Sequence, residues 1–266
     1  MSDLWVLLPL GLVVGFIAGL FGIGGGALMV PALTAYFLWQ GFDVTVVVHL
    51  ALATSMSCIV INAMLSIWTH QQHQAILWHI TARMSPFIIM GSLLATWYVI
   101  QLSSQTIALI FMLLMVVVAL HMVFDFSPKH RSQSTLRWQH WLPAGLFIGF
   151  FSALIAIGGG SLTVPFLTWH RINIKQAIAT AASIGLPLAV AGSLVFAFSH
   201  DDSGVNLPIH RWGYIYWPAT LVLSAGSLLT THLGAKLTHR LPVAVLRRLF
   251  ALLIVFLAAA MYLKFN

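Results

Sequence analysis

Two glycine triplets are the strongest candidates for ligand binding in this sequence, and each stands between an apolar segment and a short apolar segment. They are Gly24, Gly25 and Gly26 in the first half of the chain, and Gly158, Gly159 and Gly160 in the second. Each glycine costs a helix about 1 kcal/mol relative to alanine, so the chain is expected to break and start a new helix there. A helix start presents unpaired N–H groups and positive dipole, and glycine lets a ligand approach the backbone. The triplets therefore predict an anion-binding element without a charged side chain.

Other glycines are spaced for helix packing instead. Gly11, Gly15 and Gly19 stand four residues apart, and Gly145, Gly149 and Ala153 repeat the pattern. Small residues at this spacing let the backbones of two membrane helices approach each other closely. We expect packing for these positions, whereas three consecutive glycines favour a broken helix over a packing role.

The composition indicates the kind of fold that must position these residues. Of 266 residues, 60% are hydrophobic and 6% are charged, and the mean hydropathy is +0.98. A soluble domain keeps roughly a quarter of its residues charged, so this chain is not one. At about 20 residues per span, the length predicts an all-α polytopic membrane protein with eight to ten segments. The single cysteine, Cys58, excludes an internal disulfide.

Apolar stretches between polar breaks define ten candidate segments. They lie at about 4–21, 26–39, 44–69, 80–100, 105–124, 141–157, 161–169, 176–199, 213–233 and 243–263. The segments 26–39 and 161–169, which follow the glycine triplets, are too short to cross a bilayer comfortably. They are expected to be broken or re-entrant helices.

The basic residues predict which side of the membrane each polar break between segments faces. Ten of the twelve lysines and arginines lie in the breaks near 70–83, 125–140, 170–175 and 234–248. By the positive-inside rule these breaks are cytoplasmic and both termini lie outside. The net charge of +7 therefore reports orientation, and it implies no nucleic-acid partner.

The chain is internally repeated. Residues 11–38 (GLVVGFIAGLFGIGGGALMVPALTAYFL) match residues 145–170 (GLFIGFFSALIAIGGGSLTVPFLTWH), and both glycine triplets align at an offset of 134. This divides the chain into a first transmembrane repeat at 1–124, a cytoplasmic linker at 125–140 and a second repeat at 141–266. Because each half crosses an odd number of times, the halves are predicted to be inverted copies. Inverted repeats are typical of secondary transporters, whose site lies near the bilayer midplane at the repeat interface.

The doubled glycine motif, the Thr54-Ser55 segment and the ending LGAKLTHRLPVAVLRRLFALLI resemble the TauE/SafE family of anion permeases. The resemblance covers essentially the whole chain. It implies export or uptake of small sulfur-containing anions, such as sulfite, thiosulfate or organosulfonates, across the bacterial cytoplasmic membrane. The partners expected are therefore a small anion and the lipid bilayer. A homo-oligomer is left open.

The family pattern also suggests hydroxyl groups near the glycines. It matches Thr54 and Ser55 in the first half, whereas the second half departs from it and reads Ala179-Thr180-Ala181, with Ser183 following. Hydroxyls donate hydrogen bonds to an oxyanion without adding charge, so Thr54, Ser55, Thr180 and Ser161 join the triplets as candidate substrate-binding residues. His49, Asn62 and Ser183 are candidates for gating or for a polar lining. The alternative for His49 is an interfacial hydrogen-bonding histidine, and for Asn62 it is interhelical hydrogen bonding. The serine and threonine candidates can instead bond to their own backbone or to a neighbouring helix.

The residues needed for a proton relay, a metal site or an enzyme are missing or incomplete. No Asp, Glu, Lys or Arg falls well inside a predicted segment, so a carboxylate-based proton relay is not expected. His70, His73 and His79 lie at a polar break, where exposure is expected, and no other ligand type accompanies them, so neither a metal nor a cofactor is predicted. The sequence contains no G-x-S-x-G motif, so it gives no support for an enzyme. The alternative to a transporter is a passive anion channel with the same glycine cradle.

Overall fold

The computed structural model describes residues 2–21, 24–124, 138–199 and 208–238. A short 3-10 helix at Ser2–Val6 precedes nine α-helices in this part of the chain. They are α1 (Leu7–Phe21), α2 (Gly26–Trp39), α3 (Val47–Gln72), α4 (Trp78–Ile100), α5 (Ser104–Phe124), α6 (Trp138–Leu154), α7 (Gly160–Trp169), α8 (Ile174–Phe198) and α9 (Trp217–Thr238). The all-helical fold is confirmed, whereas the predicted segment 243–263 and residues 125–137 of the predicted linker lie outside the described residues.

The helix lengths divide into two classes. Within the part of the chain that the structure describes, three helices, α3, α4 and α8, are long and apolar enough to cross a membrane. The helices that follow the glycine triplets are short, as expected: α2 has 14 residues and α7 has 10. At 1.5 Å per residue they reach about 21 and 15 Å, less than the roughly 30 Å of hydrocarbon in a bilayer.

The helices break at the glycine triplets because of the backbone conformation there. Gly24 and Gly25 have φ angles of +72° and +79°, and α2 begins at the next residue. Gly158 and Gly159 have φ angles of +69° and +84°, and α7 begins directly after them. Residues with a side chain rarely adopt this left-handed conformation, so the predicted break depends on glycine at these positions.

Helices of one half pack mainly on helices of the other half. α1 lies against α9, and its counterpart α6 lies against α4. Likewise α3 packs on α9 and α8 packs on α4, while α3 and α8 contact each other at the centre. The short helices α2 and α7 pack on α3 and α8. The same packing contacts therefore result when α1, α2, α3 and α4 are exchanged for α6, α7, α8 and α9.

The regularly spaced glycines lie where these helices cross, which confirms the packing hypothesis. A Cβ added to Gly15 would lie 2.3 Å from the carbonyl oxygen of Ser227 in α9. A Cβ added to Gly149 would lie 2.3 Å from the carbonyl oxygen of Ile88 in α4. The α1–α9 and α6–α4 pairs therefore pack backbone against backbone.

The turns into α3 and α8 use the same hydrogen bond with different residues. The Asp43 carboxylate accepts the Thr45 N–H at 2.8 Å, and the Asn173 amide oxygen accepts the Lys175 N–H at 3.0 Å. The Thr45 hydroxyl and N–H groups hold the pKa of the Asp43 carboxyl below its ordinary value. An Asx turn at Asn173 therefore caps α8, whereas the one at Asp43 lies three residues before the N-cap of α3, Val46.

Candidate functional site

The two glycine triplets approach each other at the interface between the halves. A Cβ added to Gly26 would lie only 1.5 Å from the carbonyl oxygen of Ala156, just before the second triplet. A Cβ added to Gly185 of α8 would lie 2.4 Å from the carbonyl oxygen of Gly158. No side chain fits at either place, so bare backbone from both halves meets here.

A small cavity of about 10 Å³, with room for about one water molecule, lies beside this contact. Both glycine triplets and both central helices contribute to its walls. The lining residues are Ala18, Gly24, Ile59, Asn62, Ala63, Ser66, Gly158, Ala182 and Gly185. The first residue of each triplet thus faces one shared space. Gly25, Gly26, Gly159 and Gly160 form the adjoining starts of α2 and α7.

Two lining side chains carry buried polar groups that have no partner in the structure. The amide of Asn62 is 1% exposed; its Oδ1 accepts a hydrogen bond from the Ser227 hydroxyl, whereas its Nδ2 has no partner. The hydroxyl of Ser66, 4% exposed, has no partner either. A buried donor without a partner costs about 1–3 kcal/mol, so each such group needs an explanation. A water molecule or an acceptor atom of a ligand in the cavity supplies one.

The electrostatics of the cavity come from neutral groups. The nine lining residues include no Asp, Glu, Lys, Arg or His. The first four N–H groups of a helix have no acceptor within that helix, and the starts of α2 and α7 each carry the positive end of a helix dipole. These helix starts adjoin the lining without belonging to it, so the lining itself offers the donors of Asn62 and Ser66 and the helix dipoles act from beside it.

Thr54 and Thr180 have the same structural role in opposite halves. The Thr54 hydroxyl of α3 accepts the N–H of Tyr216, the residue before α9, at 3.1 Å. The Thr180 hydroxyl of α8 accepts the N–H of Leu77, the residue before α4, at 3.0 Å. Each threonine thus stabilises a helix start in the other half. Neither lines the cavity, so their contact with a substrate stays a prediction.

The predicted serines lie outside the cavity lining. Ser183 is hydrogen-bonded: its hydroxyl lies 2.6 Å from the Thr81 hydroxyl and donates to the Thr180 carbonyl at 2.7 Å. This is the interhelical bonding that was its alternative. Ser55 and Ser161 are buried, and neither hydroxyl has a partner in the structure. Their role in binding remains a prediction.

The structure places His49 at the start of α3, among partners of its own. Its Nε2 donates to the Val99 carbonyl at 3.2 Å, and its ring stacks on Tyr214 with the centroids 5.4 Å apart. It is 4% exposed and does not line the cavity. This fits the hydrogen-bonding histidine that was its alternative, and a gating role stays a prediction.

The expectation of exposure is wrong for His70, which is fully buried. The reason is that α3 continues to Gln72, three residues beyond the predicted end of its segment, and includes His70 in its packed last turn. In the part of the chain that the structure describes, no group of three or more His, Cys, Asp or Glu residues could hold a metal ion.

Sequence reasoning missed Ser66, although a signal for it exists. Ser66 stands four residues after Asn62, which places both on one face of α3. The offset of 126 that relates Thr54 to Thr180 relates Asn62 to Leu188 and Ser66 to Gly192. The second half thus has apolar residues where the first half has donors, and a search for symmetric polar pairs would overlook both donors.

Comparison with known proteins shows similarity along nearly the whole chain. A family model described as sulfite exporter TauE/SafE matches residues 7–261. A probable membrane transporter protein of Haemophilus influenzae is 35% identical over 257 residues, which are 97% of this chain and 97% of that protein. A probable membrane transporter protein of Methanocaldococcus jannaschii is 28% identical over 89% of this chain and 88% of its own length. Another, from Xylella fastidiosa, is 26% identical over 98% of this chain and 95% of its own.

Proposed function

The chain belongs to the sulfite exporter TauE/SafE family of membrane transporters, and from that premise we propose that it is a secondary transporter of small sulfur-containing anions. Sulfite, thiosulfate and organosulfonates are the substrates that fit this proposal. The family and the names of the relatives indicate a membrane transporter rather than an enzyme.

One observation carries the choice of an anion: both glycine triplets border one cavity that also contains unpartnered donors. Gly24 and Gly158 come from opposite halves of the chain, and Asn62 and Ser66 add an amide and a hydroxyl. The Asn62 amide nitrogen can only donate hydrogen bonds, which favours an anion over a cation, and an apolar solute would leave the donors unpaired. A small oxyanion satisfies the donors and the helix dipoles together.

We propose further that the halves are inverted repeats and that the α1–α2 and α6–α7 pairs are re-entrant hairpins. In this arrangement α1 and α2 enter from outside, α6 and α7 enter from the cytoplasm, and their glycine tips meet near the bilayer midplane. The symmetric packing, the short α2 and α7, and the contact between Gly26 and Ala156 support this topology. It places both termini outside in a bacterial inner membrane.

Alternating access is supported by the different packing on the two sides of the glycine contact. The cavity extends from Ile59 to Ser66, toward the end of α3 that the basic loops mark as cytoplasmic. On the opposite side the space is filled. A Cβ added to Gly192 would lie 3.3 Å from the Met56 side chain and 3.3 Å from the Thr96 hydroxyl. The proposal therefore assigns this conformation to a state closed toward the outside.

Flux through reconstituted vesicles tests the transport proposal. We expect sulfite or an organosulfonate to move with saturation and counterflow. An unsaturable, ohmic current would identify a passive anion channel instead, and no flux of any small anion would overturn the proposal.

Two glycine variants link the flux to the cavity. Gly158 and Gly41 both have left-handed φ angles, +69° and +81°, so an alanine strains the backbone similarly at each. Only Gly158 lines the cavity, whereas a Cβ at Gly41 meets nothing within 4 Å. The proposal expects Gly158→Ala to lower flux by about tenfold or more and Gly41→Ala to leave it near the level of the unmodified protein.

A further inference from the structure

We propose that two equivalent turns, one at each end of the central helices α3 and α8, are the gates of the transporter, and that the outer gate is the tighter of the two. The inner turn is residues 73–77, between α3 and α4, and the outer turn is residues 212–216, directly before α9. The inference rests on the transport function proposed above and adds the parts that close the path on each side.

The two turns share a sequence pattern. Residues 75–81 (AILWHIT) match residues 214–220 (YIYWPAT) at an offset of 139, with isoleucine, tryptophan and threonine in the same places. The matched tryptophans, Trp78 and Trp217, are the first residues of α4 and α9. The turns therefore belong to the internal repeat. In the inverted topology proposed above, the inner turn faces the cytoplasm and the outer turn faces the outside.

The backbone of the two turns is also alike. Gln74 and Gly213 occupy matching positions and have left-handed φ angles of +49° and +58°. In each turn the next N–H donates back to the central helix that precedes the turn. This bond is 3.3 Å long in the inner turn and 3.1 Å long in the outer turn, where Tyr214 donates to the Phe196 carbonyl. Each turn therefore folds back against the end of a central helix.

Each turn ends on a hydrogen bond to the other central helix. The last N–H of the inner turn, that of Leu77, donates to Thr180 of α8, and the last N–H of the outer turn, that of Tyr216, donates to Thr54 of α3. Both turns thus connect α3 with α8, one at each end. The central helices cannot separate at one end unless the turn there is released from one of them.

The side chains of both turns are buried. Ala75 and Ile76 of the inner turn are 8% and 7% exposed and form a cluster with Ala179 of α8. Tyr214 and Ile215, at the matching positions of the outer turn, are 5% and 9% exposed. Connections between helices usually run over the protein surface, so the burial of both turns indicates that they plug the space between the helices.

The two plugs differ in size, because Ala75 of the inner turn corresponds to Tyr214 of the outer turn. The Tyr214 ring stacks on His49 of α3 with the centroids 5.4 Å apart, and it meets Phe196 of α8 edge-on at 6.4 Å. It therefore bridges both central helices, which a methyl group cannot do. Aromatic pairs add to the stabilisation from buried area. The outer gate is thus held more tightly, and the resting transporter is expected to open toward the cytoplasm.

Two buried positions can report the opening of each gate. Cys58 of α3 lies one turn after Thr54, and the corresponding residue of α8, one turn after Thr180, is Ile184. Both are fully buried. The native Cys58 is therefore the outer probe, and Ile184→Cys in a Cys58→Ala background is the inner probe. The full-length chain is treated with a membrane-impermeant thiol reagent in right-side-out and in inside-out vesicles.

We expect the inner probe to react from the cytoplasmic side at least tenfold faster than Cys58 reacts from outside. Tyr214→Ala gives the outer turn the residue of the inner turn, so it should raise the outside labelling of Cys58 about tenfold. It should also slow the labelling of the inner probe, because in alternating access one gate closes when the other opens. Trp212→Ala is the matched control, because its ring belongs to the same turn but is 60% exposed, and both rates should stay unchanged.

Two further variants separate the gate from a general loss of packing. Tyr214→Phe keeps the ring and should keep the labelling rates of the unmodified protein. Thr54→Val releases the last N–H of the outer turn and should shift both rates in the same directions as Tyr214→Ala.

The outcomes distinguish the gates from the transport function. Faster labelling of Cys58 without slower labelling of the inner probe would mean that the variant only loosens the fold, and it would overturn the gate assignment. Unchanged labelling of Cys58 in both Tyr214→Ala and Thr54→Val, with anion flux intact in the unmodified protein, would overturn the gates and leave the transport function standing. No flux of any small anion would overturn the proposed function and this inference with it.

Discussion

At the scale of single residues, the two threonines show how the halves hold each other. Thr54 and Thr180 occupy corresponding positions in α3 and α8, and each accepts a backbone N–H from the start of a helix in the opposite half. A second bond follows one turn later in both cases: Thr81 pairs with Ser183, and Cys58 contacts the Thr220 carbonyl. The hydroxyls thus stabilise the interface beside the cavity.

Thr54→Val and Thr180→Val should each lower the thermal stability of the protein. Valine keeps the shape of threonine but leaves the N–H of Tyr216 or Leu77 without its acceptor, at a cost of about 1–3 kcal/mol. The melting temperature in detergent, measured without added anion, checks this. Thr163→Val is the control, because the buried Thr163 hydroxyl has no partner in the structure and its removal should be neutral or stabilising. Equal losses in all three variants would contradict the capping role.

At the scale of elements, each glycine triplet joins two helices through a break that alanine disfavours. Gly26 and Gly159 show two different reasons. A Cβ on Gly26 would collide with the Ala156 carbonyl 1.5 Å away, whereas the nearest atom to a Cβ on Gly159 is 3.8 Å away. Gly159 has a φ of +84°, so its constraint is conformational rather than steric.

This difference predicts unequal effects of the same substitution. Gly26→Ala should abolish the folded protein, because the contact between the two halves cannot form. Gly159→Ala should cost only about 1–2 kcal/mol of backbone strain and leave a folded protein. The yield of monodisperse protein on size-exclusion chromatography distinguishes the two. A normal yield for Gly26→Ala would mean that the halves do not approach as closely as described.

The start of α3 should respond to acid where the start of α8 does not. Hydrogen bonds from Thr45 lower the pKa of the exposed Asp43 carboxyl in the folded state, so it stabilises the protein above its ordinary pKa of 3.8. That contribution is lost as the pH falls through the lowered value. Asp43→Asn keeps an amide oxygen that can accept the Thr45 N–H, as Asn173 does for Lys175, so its melting temperature should fall less in acid than that of the unmodified protein. Parallel acid profiles for the two proteins would contradict this account.

At the scale of the whole molecule, the sequence predicted the architecture better than the binding contacts. Helix positions followed from apolar stretches and glycine breaks, which are local signals: the predicted segment 26–39 coincides with α2. The cavity joins residues far apart in the chain. Ser66 and the cross-half bonds of Thr54 depend on which faces pack together, and no local pattern encodes that. The asymmetry between Asn62 and Leu188 shows that repeat symmetry does not extend to the donors.

Site-directed labelling tests the inverted topology. Ser103 is exposed after α4, and Ser132 lies in the predicted linker, outside the described residues. A membrane-impermeant thiol reagent should label Ser103→Cys from outside in intact cells and Ser132→Cys only after the cells are opened. The native Cys58 is fully buried, so it gives little background. Labelling of both positions from the same side would contradict the inverted repeats.

The central claim, that a small anion occupies the cavity between the glycine triplets, is tested most directly by substrate protection. Ala63 lines this cavity next to Asn62, so Ala63→Cys in a Cys58→Ala background places one thiol at the site. We predict that methanesulfonate slows the modification of this thiol in a saturable manner and leaves the rate at Ser103→Cys unchanged. A modification rate at Ala63→Cys that does not change at saturating methanesulfonate would contradict the account.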